Sequence, residues 1–423
     1  MPMPSRRLSA LRFVLVPMLL LACGEPFLPG AIDPTTTLDG PIDGLSATQV
    51  ATHARGDAEF ARRFAAIDGL GPTFVATSCE SCHVGDGKGH PLFDITRFGR
   101  YAEGLFDRMP AHGGPQLQNR AILGYAAEQL PAGATAIARF TAPAVTGLGY
   151  LEALDDATIL ANADPTDANG DGISGRPSMV DSTDLVIDVI SVSDLAAGAE
   201  QTRHRPTGGQ YVGRFGKKAR TINLLHQTVF AYSEDMGITS EHVPQDLYSP
   251  HVGSQGGDGV ADPEVSAAVV DAVVFYLRTL RPPPRRNAGD AAVQEGEALF
   301  TQIGCSACHI PTLRAGRSDI PQISGALFSP YTDLLLHDMG SELDDGYTEG
   351  DAAPSEWRTA PLWGIGLVER AQGGGAHYLH DGRAMSLPDA IRFHGGEGAR
   401  SRAAFTALDA AKQARLLAFL RSL

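Results

Sequence analysis

Two copies of one short pattern constrain this chain more than anything else in it: Cys79-Glu80-Ser81-Cys82-His83 and Cys305-Ser306-Ala307-Cys308-His309. In C-x-x-C-H, two thiols one helical turn apart can add across the two vinyl groups of one porphyrin. The adjacent imidazole then sits beneath the iron as its proximal ligand. A redox C-x-x-C pair does not need the following histidine, and a four-thiolate zinc site closes over a far shorter gap than that from Cys82 to Cys305. Two covalently bound haem c groups are expected, held by Cys79, Cys82, His83, Cys305, Cys308 and His309.

Of the five cysteines only Cys23 is left over, so no pair remains for a structural disulfide. Cys23 follows Arg6, Arg7, Arg12 and an apolar run from Phe13 to Ala22, the layout of a secretory signal peptide. Leu20-Leu21-Ala22-Cys23-Gly24 resembles a bacterial lipoprotein box, with cleavage before a cysteine that becomes diacylated; an ordinary signal peptide with a stray cysteine is the other reading. The run is too short to span a bilayer. Attachment is therefore expected through acyl chains, with the protein exported and lipid-anchored, periplasmic or at the outer membrane. Export suits the haems, because bacterial c-type attachment takes place outside the cytoplasm. A formal charge of −15 argues against nucleic acid, which needs a basic patch, and suits a basic partner.

The expected organisation is a signal peptide over 1–22, a flexible tether over 23–46 rich in Pro, an N-terminal haem domain with an insertion over 47–281, and a C-terminal haem domain over 287–423. The fold class expected is mainly α, with two fused cytochrome c-like haem domains and long loops. Helices are predicted over Ala47 to Phe64, from Asp262-Pro263 onward, over Asp290 to Phe300, from Ser386 through His394, and over Phe405 to Leu423. Gly213-Arg214-Phe215 and Gly382-Arg383-Ala384 hint at a weak repeat. Asp167, Asn169 and Asp171 stand at alternate positions, as in a calcium loop. Ser178 occupies the twelfth position where an EF-hand has an acid, so calcium and a metal-free Asx-rich turn both stay open.

Longer runs carry a family resemblance. Tyr331 to Gly340, Trp357 to Gly364, Leu379 to Ala384 and His394 to Glu397, with Gly170 to Arg176, Gly213 to Gly216 and Asp235 to Thr239, resemble the bacterial di-haem oxidoreductases sometimes labelled thiol oxidoreductases. That family is similar to the di-haem cytochrome c peroxidases and to the related enzyme that oxidises tryptophans of a partner protein. Lys217 departs from the pattern, standing where Trp is usual, and so does Thr141, where Arg is common.

The resemblance implies a six-coordinate C-terminal haem that receives electrons and an N-terminal haem open to an oxidant. His394 aligns with the distal ligand of the first, with Met339 as competitor. Gln227 to Met236 aligns with a helix bearing a Gln and a catalytic Glu. That implies Asp235 as acid/base and Gln227 as positioning group, with Glu234 as the alternative acid and Met236 as a ligand that closes the iron. A turn-capping Asp235 is the competing reading. Glu128, Glu152 and His90 are further distal candidates. Trp357 and Trp363 either relay electrons or pack against porphyrin. The implied function is an exported, cytochrome c peroxidase-like oxidoreductase, fed by a small cytochrome or cupredoxin and reducing peroxide or another small oxidant. A pure di-haem electron carrier and an oxidase of a partner protein are the alternatives.

Overall fold

The computed structural model describes residues 38–181, 208–250, 252 and 257–423. The expected signal peptide, the expected lipoprotein box at Cys23 and most of the expected tether lie outside them. Among the described residues no helix is long and apolar enough to cross a membrane.

Two helix pairs frame the molecule. Ser46 caps Ala47–Ala61 through a reciprocal bond with Gln49, and this helix packs on Ala267–Thr279. In the second half Ala291–Gln302 packs on Ala410–Ser422 in the same way. Both crossings are closed at a glycine. A Cβ on Gly56 would collide with the Ala272 carbonyl, and one on Gly296 with the Arg415 carbonyl. Four residues after each glycine comes a phenylalanine, Phe60 or Phe300, buried against the partner helix's Tyr276 or Phe419 with ring centroids 5.5 and 5.2 Å apart. The shared Gly-x-x-x-Phe run is a second internal repeat, and it precedes both C-x-x-C-H motifs.

Between these pairs the chain departs from the mainly α expectation. Among the described residues helix accounts for 33% and strand for 14%, in ten helices and several small sheets, so two fused cytochrome c-like helical domains do not describe it. The largest sheet runs Leu105–Asp107, Ile95–Ala102, Ala136–Phe140, all antiparallel. Its hairpin turns on Glu103 and Gly104, both with positive φ, which matches the right-handed strand twist. Ala136, Ala138 and Phe140 alternate inward and pack against Leu343, Tyr347 and Trp357 from the second half. Strands Leu336–Asp338 and Glu356–Arg358 pair beside them. Most strands are only two or three residues long, too short to leave a period in the sequence. Phe328, Leu334, Leu335 and Trp363 also join the core built by the Ala267–Thr279 helix.

Three helix boundaries move for local reasons. Asp262 and Glu264 accept bonds from Thr239, and Val265 is extended against Thr239 and Glu241, so the helix begins at Ala267 behind Ser266. The final segment is two helices, Ala399–Ala407 and Ala410–Ser422, because Leu408 is extended and Asp409 caps the second through the Lys412 N–H. The region around Tyr211 to Tyr232, whose residues suggest helical character, opens with strand Gln210–Val212 before helix Leu224–Phe230, which Asn223 caps. Asp290 and Ser386 start helices as expected.

In an unpacked helix Gly to Ala stabilises by about 0.5–1 kcal/mol. At both crossings the collision reverses that sign: Gly56→Ala and Gly296→Ala are each expected to destabilise by about 1–3 kcal/mol, through overpacking. Urea unfolding of the two variants checks it; a raised midpoint in either would refute the close crossing.

Candidate haem sites

Each attachment motif folds as a single turn. The N–H groups of Cys82 and His83 both donate to the Cys79 carbonyl at 3.1 Å, and the His309 N–H donates to the Cys305 carbonyl at the same distance. This brings both thiols and the imidazole to one side. Burial pushes Cys79, Cys82 and Cys305 up to about 12 and raises Cys308 as well. A redox C-x-x-C depends on a thiol lowered by its surroundings, the reverse of what is found here. The two cysteine pairs do not meet, and no group of described residues gathers four thiolates for zinc.

The histidines are set alike. His83 Nδ1 donates to the Pro143 carbonyl at 2.8 Å and His309 Nδ1 to the Tyr331 carbonyl at 2.9 Å. A carbonyl can only accept, so Nδ1 carries the proton and Nε2 is the nitrogen free for a metal. Burial holds both imidazoles down to about 4, so they are neutral, the form that ligates. Phe60 and Phe300 stand against the rings at 6.0 and 6.2 Å. Tyr331 adopts a φ of 55°, a position held by its hydroxyl bond to Glu297 at 2.9 Å and by its ring on Phe419.

Both motifs line one cavity of about 480 Å³, walled mainly by apolar side chains. Half-buried thiols facing an apolar space, each pair beside a neutral imidazole with a free Nε2, match what two thioether-bound porphyrins require.

At the second motif His394 faces His309 with ring centroids 6.5 Å apart, and its Nδ1 donates to the Ala390 carbonyl at 2.8 Å. Met339 lines the same cavity, close to Gly398. His337 is clasped by two carboxylates, Nε2 to Asp333 at 2.9 Å and Nδ1 to Glu397 at 2.6 Å, with the Cys308 sulfur 3.7 Å away. Burial alone would lower it, but its hydrogen bonds to Asp333, Cys308 and Glu397 prevail and push it up to about 12, an imidazolium that donates to both carboxylates. Glu397 also accepts from the Ser174 N–H and hydroxyl at 3.0 Å, tying in the Asp167–Ser174 loop. In that loop Asp167, Asn169 and Asp171 each accept from backbone N–H groups two to five residues on.

At the first motif the Leu224–Phe230 helix widens into a π turn over Ala231–Asp235, which brings Gln227 and Asp235 to the cavity. The neighbouring acids are opposites. Glu234 is buried, which would raise it, but Arg220 at 2.6 Å and Arg97 at 2.9 Å hold it down at about 2. Asp235 is pushed up to about 6 by burial, against the hydrogen bond it accepts from Gln116 Nε2 at 2.6 Å. Gln227 Oε1 accepts from the Thr221 hydroxyl at 3.0 Å, which leaves its amide N–H groups for the cavity. Met236 also borders the cavity and is buried in the main core. Glu128, Glu152 and His90 do not line it; Glu152 instead binds Arg278 and the Leu224 N–H.

Several contributors are not among the residues singled out by sequence. Gln116 and Arg97 come from the stretch between Phe93 and Ile137, whose sequence signal is mixed. Asp333 and His337 are four apart, a spacing that could have marked them, whereas Glu397 reaches them only through the fold. Trp357 stacks on His380 at 3.6 Å and 11°, with Lys218 Nζ 4.2 Å from the ring centre, and both rings face the cavity. Trp363 packs on Phe328.

Among solved structures, the chain is similar to hydrazine synthase of Kuenenia stuttgartiensis pressurised with xenon, at 15% identity and a TM-score of 0.37 over 98% of this chain and 100% of that one. It is also similar to a MauG-like protein associated with microbial copper homeostasis, at 17% identity and a TM-score of 0.28 over 52% of this chain and 78% of that one. Both scores are too low to carry an argument. No curated protein matches. The family model described as "di-haem oxidoreductase, putative peroxidase" matches residues 30–101 and 133–423. That match takes in both attachment motifs, the π turn and the histidines around the cavity, and the chain belongs to the di-haem oxidoreductase family.

Proposed function

We propose that this oxidoreductase is peroxidase-like: electrons enter on the His309 side, and peroxide or another small oxidant is reduced on the His83 side. The observation that carries the reading is the asymmetry of the two halves of the cavity. Two imidazoles bound to one metal through nitrogens at about 2.0 Å have ring centroids roughly 6 Å apart, close to the 6.5 Å between His309 and His394. His83 has no second imidazole in ring contact among the described residues; its half of the cavity carries Asp235 and Gln227 instead. Haem, when bound, would supply redox-active iron at both places, with His309 and His394 placed to hold it in one half and His83 in the other.

The chain's own part is proton handling. Reduction of hydrogen peroxide takes two electrons and two protons and releases two waters. A group near the oxidant must remove the proton from one oxygen and return it to the leaving one. Asp235, at about 6, changes charge near neutral pH, whereas Glu234, at about 2 between two guanidiniums, stays ionised. Asp235 is therefore the acid/base, Gln116 holds its carboxyl, and the Gln227 amide donates to the oxidant. Glu234 serves to neutralise Arg97 and Arg220. Met339 and Met236 act as packing groups. Export, the acyl anchor at Cys23 and a small cytochrome or cupredoxin donor belong to the same proposal, supported by the leader-like N-terminus and the acidic charge of the chain.

Asp235→Asn should lower peroxide turnover about 10²–10⁴-fold, the range for loss of a general acid/base, with two haems per chain retained. Unchanged turnover removes Asp235 from the mechanism. If its carboxylate starts the reaction, kcat/KM of the native protein rises with pH through about 6. The Asn variant should lack that inflection. His394→Ala should convert the low-spin ferric signal of one haem to high spin in electron paramagnetic resonance, while Met339→Ala leaves it low spin. The opposite pair of results would make Met339 the ligand, and two low-spin haems that do not turn over peroxide would leave an electron carrier.

A further inference from the structure

Three cations line the cavity with no carboxylate in contact. Lys88 lies just past the first motif, Lys217 on the turn before the Leu224–Phe230 helix, and Arg358 at the end of the Glu356–Arg358 strand. Lys88 Nζ donates to the Thr141 hydroxyl at 3.0 Å. Arg358 donates to the Gly216 carbonyl at 2.9 Å and the Thr359 carbonyl at 3.3 Å. Among the described residues Lys217 Nζ has no hydrogen-bond partner, and none of the three enters an ion pair. Arg97 and Arg220, on the same cavity wall, are both paired with Glu234.

The acids closest in charge do not balance the group. Asp381 is tied to Arg383 at 2.7 Å. Asp94 has one carboxyl oxygen buried without a partner, and burial pushes it up to about 7, so it is only partly ionised at neutral pH. The cations respond accordingly. Burial lowers Lys88 to about 8 and Arg358 to about 10, and burial with repulsion from Lys88 and Arg358 takes Lys217 well below its ordinary value. Buried charge of one sign is costly unless a counter-charge arrives. The charge of the group is felt on both sides of the cavity: Lys217 disfavours charge on His83, and Arg358 feels Asp333, the partner of His337 beside Cys308.

We propose that Lys88, Lys217 and Arg358 form a carboxylate receptor, placed where the two haem sites meet, that takes haem propionates as its counter-ions. The proposal rests on the reading that both motifs carry haem. Each haem brings two propionate carboxylates, the one anion such a cavity acquires with its cofactor. Lys217 is the cation that feels both Lys88 and Arg358, and all three act as binding and tuning groups. A cation at a propionate favours the reduced haem, so removing it lowers the reduction potential.

The test uses mature holoprotein and begins with haem per chain, by the pyridine haemochrome, in the native protein and in Lys217→Met, Lys217→Arg and Lys88→Met. Optical redox titration of the loaded proteins is then expected to show electron affinity of at least one haem falling about tenfold in Lys217→Met and in Lys88→Met, as for a unit charge lost several ångströms away. Lys217→Arg should restore the native value, which a purely structural lysine would not require. Inorganic phosphate should leave native potentials unmoved. Fully loaded Met variants with native potentials would overturn the receptor, and so would a phosphate-dependent shift in the native protein that Lys217→Met abolishes, since the cluster would then hold a free anion. A native chain lacking haem would instead overturn the reading beneath it. Lys88→Met, on a loop, keeps the question open to measurement if Lys217→Met does not fold.

Discussion

Each attachment histidine gives its Nδ1 proton to a backbone carbonyl on a remote loop, Pro143 for His83 and Tyr331 for His309, and most of the architecture serves that bond. It fixes the tautomer, turns Nε2 toward the cavity and, with burial, keeps the ring neutral. The carbonyls must be delivered by loops, because a carbonyl inside a helix or sheet is already engaged. Here lies a physical reason for so much irregular backbone around the cavity. The helix pairs supply the rigid side: Gly56 and Gly296 let them close, and Phe60 and Phe300 then brace the imidazoles.

The same framework produces two unlike halves. Glu234 and Asp235 are adjacent in sequence yet driven to about 2 and about 6, one by two guanidiniums and the other by burial beside a neutral amide. Environments that push neighbouring acids apart divide the work between them, one as a fixed charge and one as a proton carrier. On the other side His394 fills the place facing His309, and His337, clasped by Asp333 and Glu397, sets a buried positive charge beside Cys308. Through Ser174, Glu397 also joins the first half of the chain to that site.

Some of this was legible in the residues alone. Ser386 announced its helix because capping is local, and the two C-x-x-C-H motifs announced themselves because their pattern lies within five residues. Asp235 and Gln227 were reached by resemblance, and both do face the cavity. The mainly α expectation failed where strands of two or three residues leave no period to read and the one longer hairpin is interrupted by loops. Asp262 looked like a helix cap but bonds Thr239, a partner 23 residues earlier. The Gly-x-x-x-Phe repeat was visible in principle, but five residues mean little until the two crossings are compared.

The sequence by itself pointed to the cofactor chemistry: thiol spacing, the adjacent histidine and its doubling fit two porphyrins, and these are short-range features that lie within five residues. The tertiary structure decided how the two sites differ. Which carboxyl is ionised, which imidazole faces another and which cations stand unpaired depend on groups tens to hundreds of residues apart. Charge and burial act through space, and only the folded chain sets those distances.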